Sequence, residues 1–173
     1  MLQKGAVRLR APEPEDLDFL FDTENDHRWW HLSGTLLPFS RFDLEQYLFT
    51  ADKDIFAHKQ ARFIIDYRLQ PAGMIDLFDF EPLHKRAGVG IMVSEEFRGR
   101  GVGAQALQLL IEYAFGPLQL HQLFCNIEAE NEQSLKLFQK AGFEKRCLKK
   151  EWNFKNGIPV DEWFLQLLNK EQA

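Results

Sequence analysis

A glycine-rich loop stands between an apolar strand pattern and an apolar helix pattern near the middle of the chain. The segment reads SEEFRGRGVGAQALQLL, with Gly99, Gly101 and Gly103 two residues apart. Glycines at such a junction let backbone N–H groups turn towards an anion, most often a phosphate. The helix pattern has no acidic residue before Glu112, although soluble helices usually carry Asp or Glu in the first turn. The loop therefore predicts a phosphate site whose ligand supplies the missing negative charge.

Two arginines, Arg98 and Arg100, flank these glycines and raise the local positive potential. The string also fits the dinucleotide pattern GxGxxG/A, but that pattern expects an acid about 20 residues further on. Residues 116–124 contain no Asp or Glu, and no Lys-Ser/Thr pair makes a Walker A loop. A glycine turn that only lets strand and helix pack closely is the remaining alternative. The arginines and the bare helix start favour a pyrophosphate ligand.

The surrounding sequence alternates strand and helix patterns, which is typical of an α/β fold. The strand patterns are AVRLR, ARFIIDY, AGMIDLFDF, AGVGIMV, LHQLFCNIEA and a closing hairpin around KNG. The helix patterns follow Pro14, cover RFDLEQYLFTAD, run from about Gly101 to Phe115 and cover NEQSLKLFQKAGF, where Gly142 is a left-handed cap. No segment has the length or composition of a linker. We expect a single domain over residues 1–173 with a mixed sheet.

Two segments together resemble the GNAT superfamily of N-acetyltransferases. Arg98-x-x-Gly101-x-Gly103 resembles the acyl-CoA pyrophosphate loop, and NEQSLKLFQKAGF resembles the Asn-x-x-(small)-x-x-Leu-Tyr-x-x-x-Gly-Phe segment. The order and spacing also agree, and the two ends of the chain are similar to ribosomal-protein and diamine (spermidine) acetyltransferases. The resemblance implies a GNAT fold, a mixed and mostly antiparallel sheet of about six or seven strands flanked by helices. It also implies acetyl-CoA as acetyl donor and no metal.

The resemblance also implies which residues bind the donor. Backbone groups at the strand end would hold the pantetheine arm, and an N–H at Met92 or Val93 would polarise the thioester carbonyl. Asn131 would bond the same arm, or cap its own helix through the N–H of Ser134, or do both. The complete predicted set is Ile91, Met92, Val93, Arg98, Gly99, Arg100, Gly101, Val102, Gly103, Ala104, Asn131, Ser134 and Phe138.

Phe138 stands where the family usually has a tyrosine, whose hydroxyl can protonate the departing thiolate. Phenylalanine has no proton to give, and a buried core aromatic is the plain interpretation of this residue. Catalysis is not thereby excluded. A thiol has a pKa of about 8.5 and an alkyl amine one of about 10.4, so thiolate is the better leaving group once the amine has lost its extra proton. We expect slower transfer rather than none.

The reaction also needs a base, because an alkyl amine is an unreactive ammonium at neutral pH. Asp76 is the candidate, since it aligns with an acidic position of the spermidine acetyltransferases. Asp79 differs from it by an odd number, so the two face opposite sides of a regular strand unless a bulge intervenes. An exposed strand residue with no catalytic role is the alternative for either.

The acceptor is an amine whose identity the sequence leaves open. Spermidine acetyltransferases carry acids after an aromatic pair, whereas this chain has no acid between Trp30 and Asp43, and it has Gly88 where those enzymes commonly have a glutamate. Both departures count against a polycation. Trp29 and Trp30 are candidates for an apolar acceptor site, with burial in a core as the alternative.

The composition sets outer bounds on the function. The chain has 173 residues, 45% hydrophobic and 27% charged, and a net charge of −5, which argues against general nucleic-acid binding. Two cysteines, no apolar leader and no long apolar run predict a cytoplasmic protein that does not span a membrane. We expect a direct-attack N-acetyltransferase that acts on a protein N-terminus, a polyamine or a small amine, with a homo-oligomer left open. A non-catalytic acyl-CoA-binding regulatory module is the second hypothesis, and a nicotinamide or flavin oxidoreductase is the third.

Overall fold

The structure, a computed structural model, describes residues 2–28, 30, 36–50 and 54–170. The chain forms two compact units, one of Ala11–Asp54 and one of Met1–Arg10 with Ile55–Ala173. The smaller unit is helical and the larger unit contains the sheet. No helix of the described residues is both long and apolar enough to cross a membrane.

The strands are β1 (Leu2–Lys4), β2 (Val7–Arg10), β3 (Ala61–Tyr67), β4 (Gln70–Glu81), β5 (Arg86–Val93), β6 (Gln122–Glu128), β7 (Glu144–Lys155) and β8 (Ile158–Leu168). The α-helices are α1 (Leu17–Glu24), α2 (Arg41–Thr50), α3 (Ile55–His58), α4 (Val102–Phe115) and α5 (Glu132–Lys140). Short 3₁₀ turns cover Pro14–Asp16 and Glu95–Phe97.

All eight strands of the described residues form one sheet in the order β1-β2-β3-β4-β5-β6-β8-β7. Every neighbouring pair is antiparallel except β5 and β6, which are parallel. The predicted mixed, mostly antiparallel sheet is confirmed. It has one strand more than the six or seven expected, because the three-residue β1 is too short to leave a periodic pattern.

One face of the sheet, here the helix face, carries the main core. Side chains alternate along a strand, so β4 and β5 present Ile75, Leu77, Ala87 and Val89 on this side. Helix α4 packs on them with an apolar stripe of i, i+3, i+4 spacing. The helix residues of this core include Ala106, Leu107, Leu110 and Ala114. The opposite side, here the second face, carries Asp76, Phe78, Gly88, Gly90 and Phe124.

Two-residue turns set the register on both sides of this core. Tyr67 pairs with Gln70, so Arg68 and Leu69 form the β3–β4 turn at φ 53° and 67°. Asn156 and Gly157 form the β7–β8 turn at φ 52° and 78°. Positive φ at both central residues is the type I′ geometry, which matches the twist of a hairpin. The β7–β8 hairpin is the closing hairpin that the sequence around KNG predicts.

The helical unit is held by local polar contacts. Ser40 and Asp43 cap α2 reciprocally, since the Asp43 N–H donates to Ser40 Oγ at 3.0 Å and the Ser40 N–H donates to Asp43 Oδ2 at 3.2 Å. The side-chain amide of Asn25 bonds both backbone groups of Phe39, at 3.1 and 2.8 Å. These contacts fix where α2 begins.

Candidate functional site

A gap opens in the sheet between the two parallel strands. Strand β5 pairs with β6 at Arg86, Ala87 and Gly88 only, opposite Gln122, Leu123 and Phe124. Beyond that point β5 continues through residues 89–93 beside β4, and β6 continues beside β8. The two strands therefore separate, and among the described strands neither has a partner along the edge that faces the gap.

The direction of the backbone groups on β5 follows from two contacts with β4. The Ser94 N–H donates to the Ala72 carbonyl at 2.9 Å, and the Met92 carbonyl oxygen lies 2.2 Å from where a Cβ on Gly73 would stand. Ser94 and Met92 thus face β4. Because backbone groups alternate along a strand, Ile91 and Val93 direct theirs into the gap.

The glycine-rich loop leads from this gap into helix α4. Gly99 and Gly101 adopt φ 73° and 75°, a left-handed conformation that costs most residues energy. Gly101 is the N-cap residue of α4, no side chain bonds the helix start, and the first turn holds no acid. The first intrahelical bond of the described chain here runs from the Gln105 N–H to the Gly101 carbonyl at 3.1 Å. The bare helix start predicted from the sequence is present.

The two arginines of the loop have different surroundings. Arg98 is half-buried, and its Nε donates to the Val93 carbonyl oxygen at 2.9 Å. This bond ties the loop back to the end of β5. Arg100 is exposed. Arg98 therefore has a structural contact that the sequence did not reveal, whereas Arg100 is placed as a solvent-facing charge.

Three elements meet at Gly103. A Cβ at this position would lie 3.5 Å from Leu137 of α5, 3.6 Å from Val93 and 3.8 Å from Ile91 of β5, which are ordinary contact distances. Of the neighbouring predicted residues, Val102 is buried and Ala104 is exposed. The structure thus brings the predicted strand end, loop and second helix together at one end of α4.

Helix α5 carries the other predicted residues. Asn131 caps this helix, because its side-chain oxygen accepts the Ser134 N–H at 3.1 Å. Phe138 is 2% exposed and packs edge to face against Phe143, with ring centroids 5.1 Å apart. Both plain interpretations, the cap and the buried aromatic, are confirmed, and the role of these residues in donor binding stays a prediction.

Asp76 lies on the second face of the sheet in a paired state. Arg62 of β3 donates Nε and Nη2 to its two carboxylate oxygens at 3.0 and 2.9 Å. The Asp76 side chain is 21% exposed and the Arg62 side chain is 19% exposed. A bulge does intervene further along β4, where Asp79 is exposed at φ 47° and the register shifts. Arg62 could not be found from the sequence, because only the strand register places it opposite Asp76.

Only one residue of the predicted aromatic pair lies among the described residues. Trp29 lies outside the described residues. Trp30 is half-buried within the helical unit, and its Nε1 donates to the Glu24 carbonyl at 2.8 Å.

Neither cysteine has the surroundings of a nucleophile. Cys125 is 1% exposed, and burial raises the pKa of its thiol far above the usual value. Cys147 is exposed on β7, an edge strand that β6 and β8 separate from β5. A nucleophilic cysteine needs a lowered pKa and access to the reacting group. A covalent acyl intermediate on either thiol is therefore disfavoured.

Comparison with known proteins agrees with this geometry. Residues 6–144 match the family model described as Acetyltransferase (GNAT) domain. The spermidine N(1)-acetyltransferase of Escherichia coli (strain K12) is 30% identical over 141 residues, which cover 80% of this chain and 73% of that protein. A putative ribosomal N-acetyltransferase of Bacillus subtilis (strain 168) is 29% identical over 99 residues, 57% of this chain and 54% of that one.

Solved structures agree as well. Spermidine N-acetyltransferase from Vibrio cholerae, in complex with CoA and spermine, superposes with a TM-score of 0.84 at 24% identity, covering 95% of this chain and 96% of that one. The fold inferred from the resemblance is thereby confirmed. The chain belongs to the GNAT family of acetyltransferases, and it is an N-acetyltransferase.

Proposed function

We propose that this protein transfers an acetyl group from acetyl-CoA to a primary amine by direct attack, with donor and acceptor bound together. One observation carries the proposal: a strand parts from its parallel neighbour just before an uncapped, glycine-rich helix start. The gap would take the pantetheine arm, and the N–H groups of residues 99–104 would take the pyrophosphate. The names of the relatives support an amine acceptor.

Backbone groups of β5 would orient the thioester. Ile91 and Val93 face the gap, whereas the carbonyl of Met92 faces β4. Of the two residues predicted to polarise the thioester carbonyl, we therefore propose Val93. Its N–H would donate to the carbonyl oxygen as negative charge develops there, and such pre-aimed donors contribute strongly to catalysis. Arg98 donates to the carbonyl oxygen of the same residue, Val93, in the next peptide group, and so helps to fix the end of β5.

The proton of the incoming amine has a constrained route. Protonation of Asp76 would remove the negative charge that Arg62 faces at 3.0 and 2.9 Å, and so would break this ion pair. This pairing favours a water molecule in the gap as the immediate acceptor. Asp76 as base remains a prediction, and in the paired state it orients Arg62.

The leaving thiolate needs no acid from Phe138. We expect Phe138→Tyr to change kcat by less than about threefold, because thiolate is already the better leaving group. If the reaction lacked an essential acid at this position, the new hydroxyl would raise kcat by roughly 10²–10⁴-fold. Phe143→Tyr is the matched control, since it adds the same hydroxyl to the other ring of this buried pair. Initial rates at saturating acetyl-CoA measure the effect.

The proposal is tested by the release of free thiol from acetyl-CoA. We expect release that depends on an added amine, and no stable acetyl adduct on the protein by mass spectrometry. Tight CoA binding without release across peptide N-termini, polyamines and small amines would instead support the non-catalytic acyl-CoA-binding module. A rise in melting temperature with CoA but not with nicotinamide or flavin cofactors removes the oxidoreductase.

The polyamine, the N-terminal and the small-amine acceptors all remain within this proposal, as does the predicted cytoplasmic location. Spermidine acetyltransferases and a putative ribosomal acetyltransferase are both among the relatives. One solved structure of the Vibrio cholerae enzyme is dodecameric, with a TM-score of 0.80 and 24% identity over 98% of each chain. This supports a homo-oligomer here, which light scattering would measure.

A further inference from the structure

The second face of the sheet carries a row of aromatic rings beside the gap, here called the aromatic trough. The rings are those of Phe78, Phe124 and Phe164, and Gly88 and Gly90 of β5 lie beside them. The Phe78 and Phe124 rings meet edge to face with centroids 5.7 Å apart. Phe124 stacks on Phe164 at 5.8 Å with 29° between the ring planes. All three rings are half-buried, so each keeps part of its surface accessible.

A glycine is required beneath the first ring. A Cβ on Gly88 would lie 2.3 Å from the Phe78 ring, well inside contact distance. Phe78 therefore lies directly across the β5 backbone. Any side chain at position 88 would displace the Phe78 ring and so disturb its contact with Phe124 in the trough.

The second glycine leaves room beside the gap. The nearest atom to a Cβ on Gly90 would be a Phe78 ring carbon at 3.9 Å. Gly90 lies two residues beyond Gly88, the last β5 residue that pairs with β6. The buried side chains of α4 cover the helix face of the described sheet, whereas the rings of the trough leave the second face partly accessible to an acceptor. The trough is thus the surface that the body of the acceptor would contact.

The charges of this face do not suit a polycation. Among the described residues of β4, β5, β6 and β8, the carboxylates of the second face include Asp76, Glu81, Glu128 and Glu162. Glu81 is paired with Lys59 at 2.6 Å, and Glu162 is paired with Lys149 at 2.5 Å. Asp76 is bonded by Arg62 through both oxygens, and Glu128 is 6% exposed and paired with Lys155 at 3.1 Å. A polyamine needs carboxylates to compensate its several charges. Aromatic rings instead provide apolar contact and ring-ring packing.

From this arrangement we infer that the acceptor is a monoamine with an aromatic or bulky apolar group next to its amino group. The inference rests on the proposed function. The amine would enter the gap beside Gly90, while its apolar body lies against Phe78 and Phe124. The amine nitrogen forms the new bond to the acetyl carbon, the bond from that carbon to sulfur breaks, and the amine proton leaves to water.

The test compares three amines with the CoA-bound protein: phenethylamine, n-butylamine and spermidine. Calorimetry measures each Kd, and thiol release from acetyl-CoA measures each kcat/KM. We expect phenethylamine to exceed n-butylamine by at least about tenfold in both, from the buried ring surface. Phe124→Leu should reduce this ratio to about threefold or less. Phe154→Leu, an exposed phenylalanine outside the trough, is the matched control and should leave the ratio unchanged.

The outcomes separate the two proposals. A higher kcat/KM or tighter binding for spermidine than for phenethylamine overturns the inference and leaves the acetyltransferase standing. So does an aromatic preference that survives in Phe124→Leu. Absence of thiol release with every amine overturns the proposed function, and the ratio of the Kd values still decides whether the trough selects aromatic amines. The ratio in the unaltered protein needs no variant to fold.

Discussion

Gly101→Asp is expected to weaken CoA binding by at least about a hundredfold. The left-handed conformation of Gly101, at φ 75°, is one that Asp and Asn tolerate better than other residues, so the loop should keep its shape. The new carboxylate would cap the free N–H groups of α4 and repel the pyrophosphate. A pair of like charges about 4 Å apart costs roughly 4 kcal/mol at an effective dielectric constant of about 20, which is more than enough for this loss. Calorimetric titration with CoA measures it.

Gly101→Asn is the matched control for this prediction. It has the same shape and the same tolerance of the left-handed region, but no charge, and we expect it to bind CoA within about tenfold of the unaltered protein. The unliganded Asp variant should melt no lower than the Asn variant, because a carboxylate suits a helix start. Equal CoA affinity for the Asp variant and the unaltered protein would place the phosphate elsewhere.

Asp66→Ala is expected to lower the free energy of unfolding by about 2–4 kcal/mol. The Asp66 side chain is 2% exposed and accepts hydrogen bonds from two β2 arginines, Arg8 and Arg10. Removing the carboxylate leaves both guanidiniums without this partner in a mostly buried place. Breaking a buried ion pair usually costs about 3–5 kcal/mol, and the lower range here reflects the 20–30% exposure of the arginines.

Urea unfolding of the unliganded protein measures this loss. Glu144→Ala is the control, because Glu144 and Arg146 form a pair in which both side chains are exposed, and such pairs contribute little. A loss below about 1 kcal/mol for Asp66→Ala would mean that water replaces the carboxylate at both arginines. The prediction concerns folding alone and does not depend on the proposed chemistry.

Features that depend on neighbouring residues were predictable from the sequence. The β3 segment ARFIIDY has the predicted bounds, and α4 begins one residue after the predicted glycine. Gly142 has the left-handed conformation of a helix cap, at φ 98°. The uncapped start of α4 was also predictable, because it follows from the residues of a single turn. Each of these is decided by local backbone preferences and hydrophobic period.

Features that depend on strand register were not predictable. The Arg62–Asp76 pair and the aromatic trough arise because β3, β4, β5 and β6 are aligned in one particular way. A shift of one residue would move each of these side chains to the other face. The bond from Arg98 to Val93 similarly depends on how the loop folds back. The sequence carries these residues, but the strand register and the path of the loop decide which of them meet.

The parting of β5 from β6 also has a mechanical meaning. In the described sheet, backbone pairing between β5 and β6 is limited to residues 86–88 of β5, so the gap divides the rest of the sheet into two parts. In the proposed complex, the amide groups of the donor arm would bridge the gap for as long as the donor is bound. Acetyl-CoA would then stabilise the sheet as well as supply the acetyl group. The two parts of the sheet would be held together less firmly each time CoA dissociates.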